Sequence, residues 1–124
     1  MMELTLLGTG CPSVDSKRFG PANLISTKKT KILVDCGSGV TQRLHQTKVS
    51  SADIDALLLT HLHSDHVVDL YQLIISSWHS YRIKPWKVYG PKGTKIFVKK
   101  IMEAWKQERT QRIKYEERSS IKSF

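Results

Sequence analysis

The sequence predicts an α/β fold, and three observations carry that reading. Short strand-like stretches rich in Leu, Ile and Val (Ala22 to Ser26, Lys31 to Val34, Leu57 to Leu59) alternate with stretches at helical spacing (Ser38 to Gln46, Asp69 to Trp78, Thr94 to about Lys106). Glycine-bearing or polar turns follow the strands. At 124 residues, 40% hydrophobic and 25% charged, the chain has the size and composition of one modest globular domain, residues 1–124.

Each element has its local reason. Met2 to Leu7 alternates polar and apolar residues and reads as a first strand, closed by the Gly8-Thr9-Gly10 loop. A glycine-rich loop can cradle phosphate, but no lysine-serine pair or helix signal follows it, which argues against a nucleotide site. Val14 to Gly20 is a polar loop, and Thr27-Lys28-Lys29-Thr30 is the hairpin turn between the second and third strands. Val40 and Leu44 give the first helix one buried stripe, and His45 falls on its surface side. In the next helix Leu70, Leu73, Ile74 and Ser77 share a face; a helix starting there aims its N-terminal dipole at anionic groups. Ser80 to Pro85 is a basic loop, and Trp86 to Tyr89 is a further strand ending in the turn Gly90-Pro91-Lys92-Gly93. Thr94 caps the last helix, whose Ile96, Phe97, Lys100, Ile101, Ala104 and Trp105 read as a core-facing stripe. Arg112 to Glu117 reads as the start of one more strand, and the residues after it are polar.

Composition bounds the function. No apolar run approaches a membrane span, and Met1-Met2-Glu3 is not a basic segment followed by an apolar one, which predicts a cytoplasmic protein. Two cysteines, Cys11 and Cys36, are too few for a disulfide scaffold and read as reduced thiols. The net charge of +9 is uneven: residues 1–66 hold seven Lys/Arg against six Asp/Glu, and residues 67–124 thirteen against five. A basic second half attracts a polyanion such as RNA, although a solvated lysine-rich surface gives the same composition. Arg82 and Lys84 of the basic loop are the candidate phosphate contacts.

The stretch that carries chemistry is Thr60-His61-Leu62-His63-Ser64-Asp65-His66, directly after the apolar run Ile54 to Leu59. A lone histidine is more often a surface residue than a ligand. Here three of the chain's five histidines and a carboxylate fall within six residues. In an extended chain His61 and His63 share a face, and two converging imidazoles are the usual start of a zinc site. The chain then turns at Ser64-Asp65, so that Asp65 and His66 form a second ligand pair beside the first. Two adjacent cations polarise an ester and generate a hydroxide near neutral pH. Asp35, at the end of the third strand and ahead of Gly37 and Gly39, reads as a turn or helix-cap residue.

His61-Leu-His63-Ser-Asp65-His66 resembles the HxHxDH signature of the metallo-β-lactamase fold hydrolases. Leu6-Leu7-Gly8-Thr9-Gly10-Cys11-Pro12, Arg18-Phe-Gly20-Pro21-Ala-Asn23, Leu33-Val-Asp35-Cys-Gly37-Ser-Gly39 and Val88-Tyr-Gly90-Pro91-Lys-Gly93-Thr94 resemble the ribonuclease Z-like and arylsulfatase-like branch, in order and spacing, from Glu3 to about Glu117. The resemblance implies the N-terminal βα half of an αββα sandwich, with a mixed sheet and flanking helices. It implies a zinc-dependent phosphodiester hydrolase that trims the 3′ end of precursor tRNA. His61 and His63 would hold one zinc, Asp65 and His66 the other, with Asp65 also accepting a proton from the attacking water. Asp35 would lie beside the ligands and hold their loop.

The pattern is also broken. A catalytic zinc takes three protein ligands and leaves one position for water. Members of the family supply the remaining ligands from a later histidine, a bridging aspartate and a final histidine. After His66 this sequence has only His79 and Asp69, in contexts that match none of them. The expectation is therefore a fragment, a truncated form, or a half-domain completed by another chain, as in a homodimer. Such a half exposes a sheet edge and core surface. Two rivals follow: an arylsulfatase-like or other small-ester hydrolase, since Gly20-Pro21 and Val88 to Pro91 occur on both sides of the branch, and an inactive half-domain that only binds or assembles. A basic RNA-binding module without chemistry is a third, and predicts salt-dependent affinity that survives removal of metal.

Overall fold

A computed structural model describes residues 1–116. The strands are β1 (Glu3–Gly8), β2 (Ala22–Ser26), β3 (Lys31–Val34), β4 (Ala56–Leu58) and β5 (Val88–Tyr89), and the helices α1 (Val40–Gln46), α2 (Ser64–Val67), α3 (Leu70–His79), α4 (Thr94–Ala104) and α5 (Lys106–Tyr115), with a 3-10 turn at Ser51–Asp53. The strands form one sheet in sequence order. β1, β2 and β3 pair antiparallel, whereas β3, β4 and β5 run parallel. The fold class is α/β with a mixed sheet, as the sequence predicts.

Alternation decides which sheet face is covered. Leu7, Leu24, Leu33 and Leu57 point to one side and are fully buried with Val40 and Leu44 of α1 and Leu70, Leu73 and Ile74 of α3. The intervening residues face the other side: Leu4 pairs with Ile25, Ile25 with Ile32, Ile32 with Ala56, and Val34 with Leu58. No described helix covers that side, where Leu4 is 62% and Leu6 59% exposed.

Two sequence expectations are corrected. Arg112 to Glu116 is not a strand: it belongs to α5 and its C-cap, where Arg112 reaches Glu108 (2.8 Å) and Glu116 (3.4 Å) across single helical turns; Glu117 lies outside the described residues. The predicted last helix, Thr94 to about Lys106, is α4, which ends at Ala104; after Trp105 a further helix, α5, begins. The buried side of α4 is Phe97, Val98, Ile101 and Met102, while Ile96 and Trp105 are exposed, so the predicted stripe is rotated on the helix. Trp105 instead stacks on Tyr71 of α3 at 4.7 Å.

The parallel strands put the chemistry on one edge. Asp35 follows the C-terminal end of β3, the His61–His66 loop follows β4, and Gly90–Thr94 follows β5. Ligand sites of parallel α/β sheets lie at the carboxyl ends of their strands.

Candidate metal centre

The loop after β4 is held by backbone bonds to the loop after β3. Asp35 N–H donates to Leu58 O (2.8 Å), Cys36 N–H to His66 O (2.7 Å) and Asp69 N–H to Cys36 O (3.1 Å). Glycine permits this approach: a Cβ on Gly37 would stand 2.4 Å from Asp65 O and 2.6 Å from Gly20 C. Asp35 itself adopts a left-handed φ of 61°, which aspartate tolerates better than most residues but which still costs about 1 kcal/mol. Such an outlier persists where surrounding bonds over-determine it.

Those bonds are to the motif. Asp35 is buried, and its Oδ1 accepts from Thr60 N–H (2.8 Å) while its Oδ2 accepts from His66 Nδ1 (2.8 Å). Thr60 Oγ1 lies 2.8 Å from Asp35 Oδ2 and 3.0 Å from His61 Nδ1. An ionised carboxylate only accepts, and a hydroxyl has one proton to give. Thr60 therefore donates to Asp35 and accepts from His61 Nδ1–H, and His66 donates its Nδ1–H to Asp35. In their neutral forms both imidazoles then keep the Nε2 lone pair bare. One buried carboxylate thus fixes the tautomers of two histidines, the arrangement that orients metal-ligating imidazoles.

The bare nitrogens sit among further donors. His61 lies 4.0 Å from His66 and 4.5 Å from His63 between ring centroids. His66 Nε2 is 3.6 Å from Asp65 Oδ2. The structure therefore brings His61, His63, Asp65, His66 and Asp35 together. Among the described residues no group of three or more His, Cys, Asp or Glu is arranged to hold a metal ion. Donor type and tautomer suit a cation, while the arrangement of the described residues does not by itself complete a site. An open cleft of about 760 Å³ adjoins Asp65, walled by Phe19, Gln42 and Gln72.

Two candidate residues lie elsewhere. Arg82 is buried, and its guanidinium donates to the carbonyls of Lys84, Ala52, Ile54 and Pro85 and lies 4.1 Å over the Trp86 ring. Lys84 Nζ bonds Asp55 Oδ1 at 2.6 Å. Ala52 to Asp55 precede β4, so both basic residues sit at the opposite end of the strand from the motif. The expectation that Arg82 contacts a phosphate backbone is corrected: its donors are spent on the chain's own carbonyls. Thr60 and Gly37 support the site in roles that the sequence motifs containing them do not assign. Thr60 is detectable as the hydroxyl residue between a buried strand and the first histidine; the Gly37 contact is made across the fold and leaves no local signal.

The fold and sequence have known relatives. The short form of human tRNase Z matches with a TM-score of 0.73 and 31% identity over 84% of this chain and 39% of that one. The metallo-β-lactamase fold protein YhfI of Bacillus subtilis matches at 0.67 and 26%, over 75% and 39%. Ribonuclease Z of Mycolicibacterium gilvum is 44% identical over 85% of this chain, and that of Mycobacterium bovis 43%. Fold and motif define a ribonuclease Z-like protein of the metallo-β-lactamase fold superfamily. Residues 2–121 match the family described as Anti-Pycsar protein Apyc1, and the chain belongs to that family. The chain spans 38% of the length of the Mycolicibacterium gilvum relative.

Proposed function

We propose that this chain carries the metal-binding half of a cytoplasmic, zinc-dependent phosphodiester hydrolase that trims the 3′ end of precursor tRNA. The observation that carries the reading is the Asp35 network, which leaves the Nε2 atoms of His61 and His66 bare beside Asp65 and His63. In this reading residues 1–124 form part of a metallo-β-lactamase-like domain. His61 and His63 hold one zinc, Asp65 and His66 the other, and the ligand sets are completed from outside these residues, by a longer chain or by a second copy. Bound zinc supplies the polarisation of the phosphodiester and the acidity of the attacking water. Asp65 accepts the proton at its carboxylate, and Asp35 keeps the two imidazoles oriented. No helix among the described residues is long and apolar enough to cross a membrane.

The test is 3′-trailer release from precursor tRNA by the zinc-reloaded chain, beside His61→Ala/His63→Ala and Asp65→Asn variants. Trailer release that both variants abolish supports the reading. Release that survives in both variants, or none by protein holding stoichiometric zinc, refutes it. Hydrolysis of bis(4-nitrophenyl) phosphate with precursor tRNA untouched moves the substrate to the small-ester class.

A further inference from the structure

We infer that the solvent side of α4 is the surface that carries the phosphate backbone of RNA, leading it to the loop of His61 to His66. The inference rests on the reading above and goes beyond it by assigning the binding surface, which the sequence alone put at Arg82 and Lys84.

Five lysines, Lys92, Lys95, Lys99, Lys100 and Lys106, stand against Glu103 alone between residues 92 and 106. The helix period places Lys95, Lys99, Lys100 and Glu103 on one arc and Phe97, Val98, Ile101 and Met102 on the other, which packs inward. Lys99 and Lys100 have side chains 73% and 72% exposed and share Glu103 at 3.8 and 3.1 Å, so their pairing is open to solvent and exchangeable for phosphate. Arg82 and Lys84 are committed to backbone carbonyls and to Asp55.

Position makes α4 more than a charged surface. β4 and β5 run parallel, so the turn after β5 that starts α4 lies on the same sheet edge as the metal loop after β4. The two loops touch: a Cβ on Gly93 would meet Leu62 Cδ1 at 3.5 Å, and one on Gly90 would meet Leu59 Cβ at 3.2 Å. From that contact α4 runs for roughly 16 Å at the usual rise per residue. A strand lying on its lysines would therefore reach the motif at the helix's first turn. The arc also exposes Ile96, and lysines around an exposed isoleucine suit an anionic lipid surface too. Contact with the metal loop favours RNA.

The experiment is fluorescence anisotropy of a labelled oligoribonucleotide across a salt series, with a chelator present throughout. A Lys92→Gln/Lys95→Gln/Lys99→Gln/Lys100→Gln variant is compared with wild type and with Lys28→Gln/Lys29→Gln, which lies in the β2–β3 turn at the opposite sheet edge. Every lysine–phosphate pairing that is removed lowers the log–log salt slope by about 0.7, so the quadruple variant should lose two to three units and bind at least tenfold more weakly. The β2–β3 turn variant should bind as wild type. An unchanged slope in the quadruple variant, or equal losses in both variants, overturns the inference. So does lysine-dependent binding to phosphatidylserine vesicles with no binding to RNA. The His61→Ala/His63→Ala protein separates the two claims: it should bind RNA as wild type does while losing cleavage. If the quadruple variant binds and cleaves normally, this inference fails alone; if it loses RNA binding while the wild type binds but never cleaves, the proposed function fails alone.

Discussion

The substitution Asp35→Asn isolates what the buried carboxylate does. Asparagine has the same shape and tolerates the left-handed φ of 61° that Asp35 adopts. Its carbonyl oxygen must take the Oδ1 place, because the Thr60 N–H at 2.8 Å would face another donor otherwise. The amide nitrogen then stands where Oδ2 accepts from His66 Nδ1 at 2.8 Å, and it can only donate. His66 must present Nδ1 as an acceptor and carry its proton on Nε2, the atom that faces Asp65. The bonds from Thr60 and His66 all lose their charge assistance, a loss of at least about 1–2 kcal/mol in urea unfolding. The fold survives, but the ligand lone pair is gone, and losses of about 10–100-fold in metal affinity accompany such changes. Long-range proton–nitrogen correlation spectra on labelled protein above pH 8 should show Nδ1–H on His66 in wild type and Nε2–H in the variant, and a zinc titration should show the weaker binding. A His66 that keeps Nδ1–H in the variant, or equal zinc affinity, would refute the reasoning.

Other expectations follow from the same contacts. Arg82→Lys keeps the charge and loses the fork that bonds the Ala52, Ile54, Lys84 and Pro85 carbonyls; it should destabilise by roughly 2–3 kcal/mol in urea while leaving the salt slope of RNA binding unchanged. Gly37→Ala drives a Cβ into the Asp65 and Gly20 backbone and should cost about 1–3 kcal/mol, with zinc affinity falling as the loop moves. The Lys84 ammonium and then the Lys31 N–H hold the Asp55 carboxyl below its ordinary range. Stability from this pair is therefore present above the unfolded carboxylate pKa of about 3.9 and fades as pH falls through the lower folded value. Both side chains are well exposed, so Lys84→Met should cost no more than about 1 kcal/mol at pH 7, and less than that in acid. Burial, then Asp69, pushes the Cys36 thiol well up, so a thiol reagent should label exposed Cys11 at once and Cys36 only on unfolding.

Much of the fold is legible in the sequence because local pattern and tertiary role agree. β2 and β3 begin and end where the Ala22 to Ser26 and Lys31 to Val34 runs do, since Thr27 N–H to Thr30 O closes the hairpin those residues signal. α1 starts two residues late because Gly39 takes φ 74° and ends the preceding turn. Arg112 to Glu116 misleads because arginine, isoleucine, lysine and tyrosine alternate like a strand. Their partners are helical: Ile113 packs with Tyr71 and Trp78 of α3 while Glu108 and Glu116 flank Arg112. The motif itself announces His61, His63, Asp65 and His66, and their convergence follows from β4 ending where it does. The role of Arg82 cannot be read from charge, since burial of a guanidinium depends on carbonyls thirty residues upstream. A tryptophan four residues on, stacked against it, is a local hint.

The most direct measurement is zinc per chain by elemental analysis, on protein stripped with chelator, reloaded with zinc and separated from free metal. The His61→Ala/His63→Ala protein is measured alongside, with circular dichroism confirming that it folds. The account predicts more zinc on the wild type than on the double variant, approaching two per chain only where a second copy completes the ligand sets. Equal zinc in both proteins would contradict it.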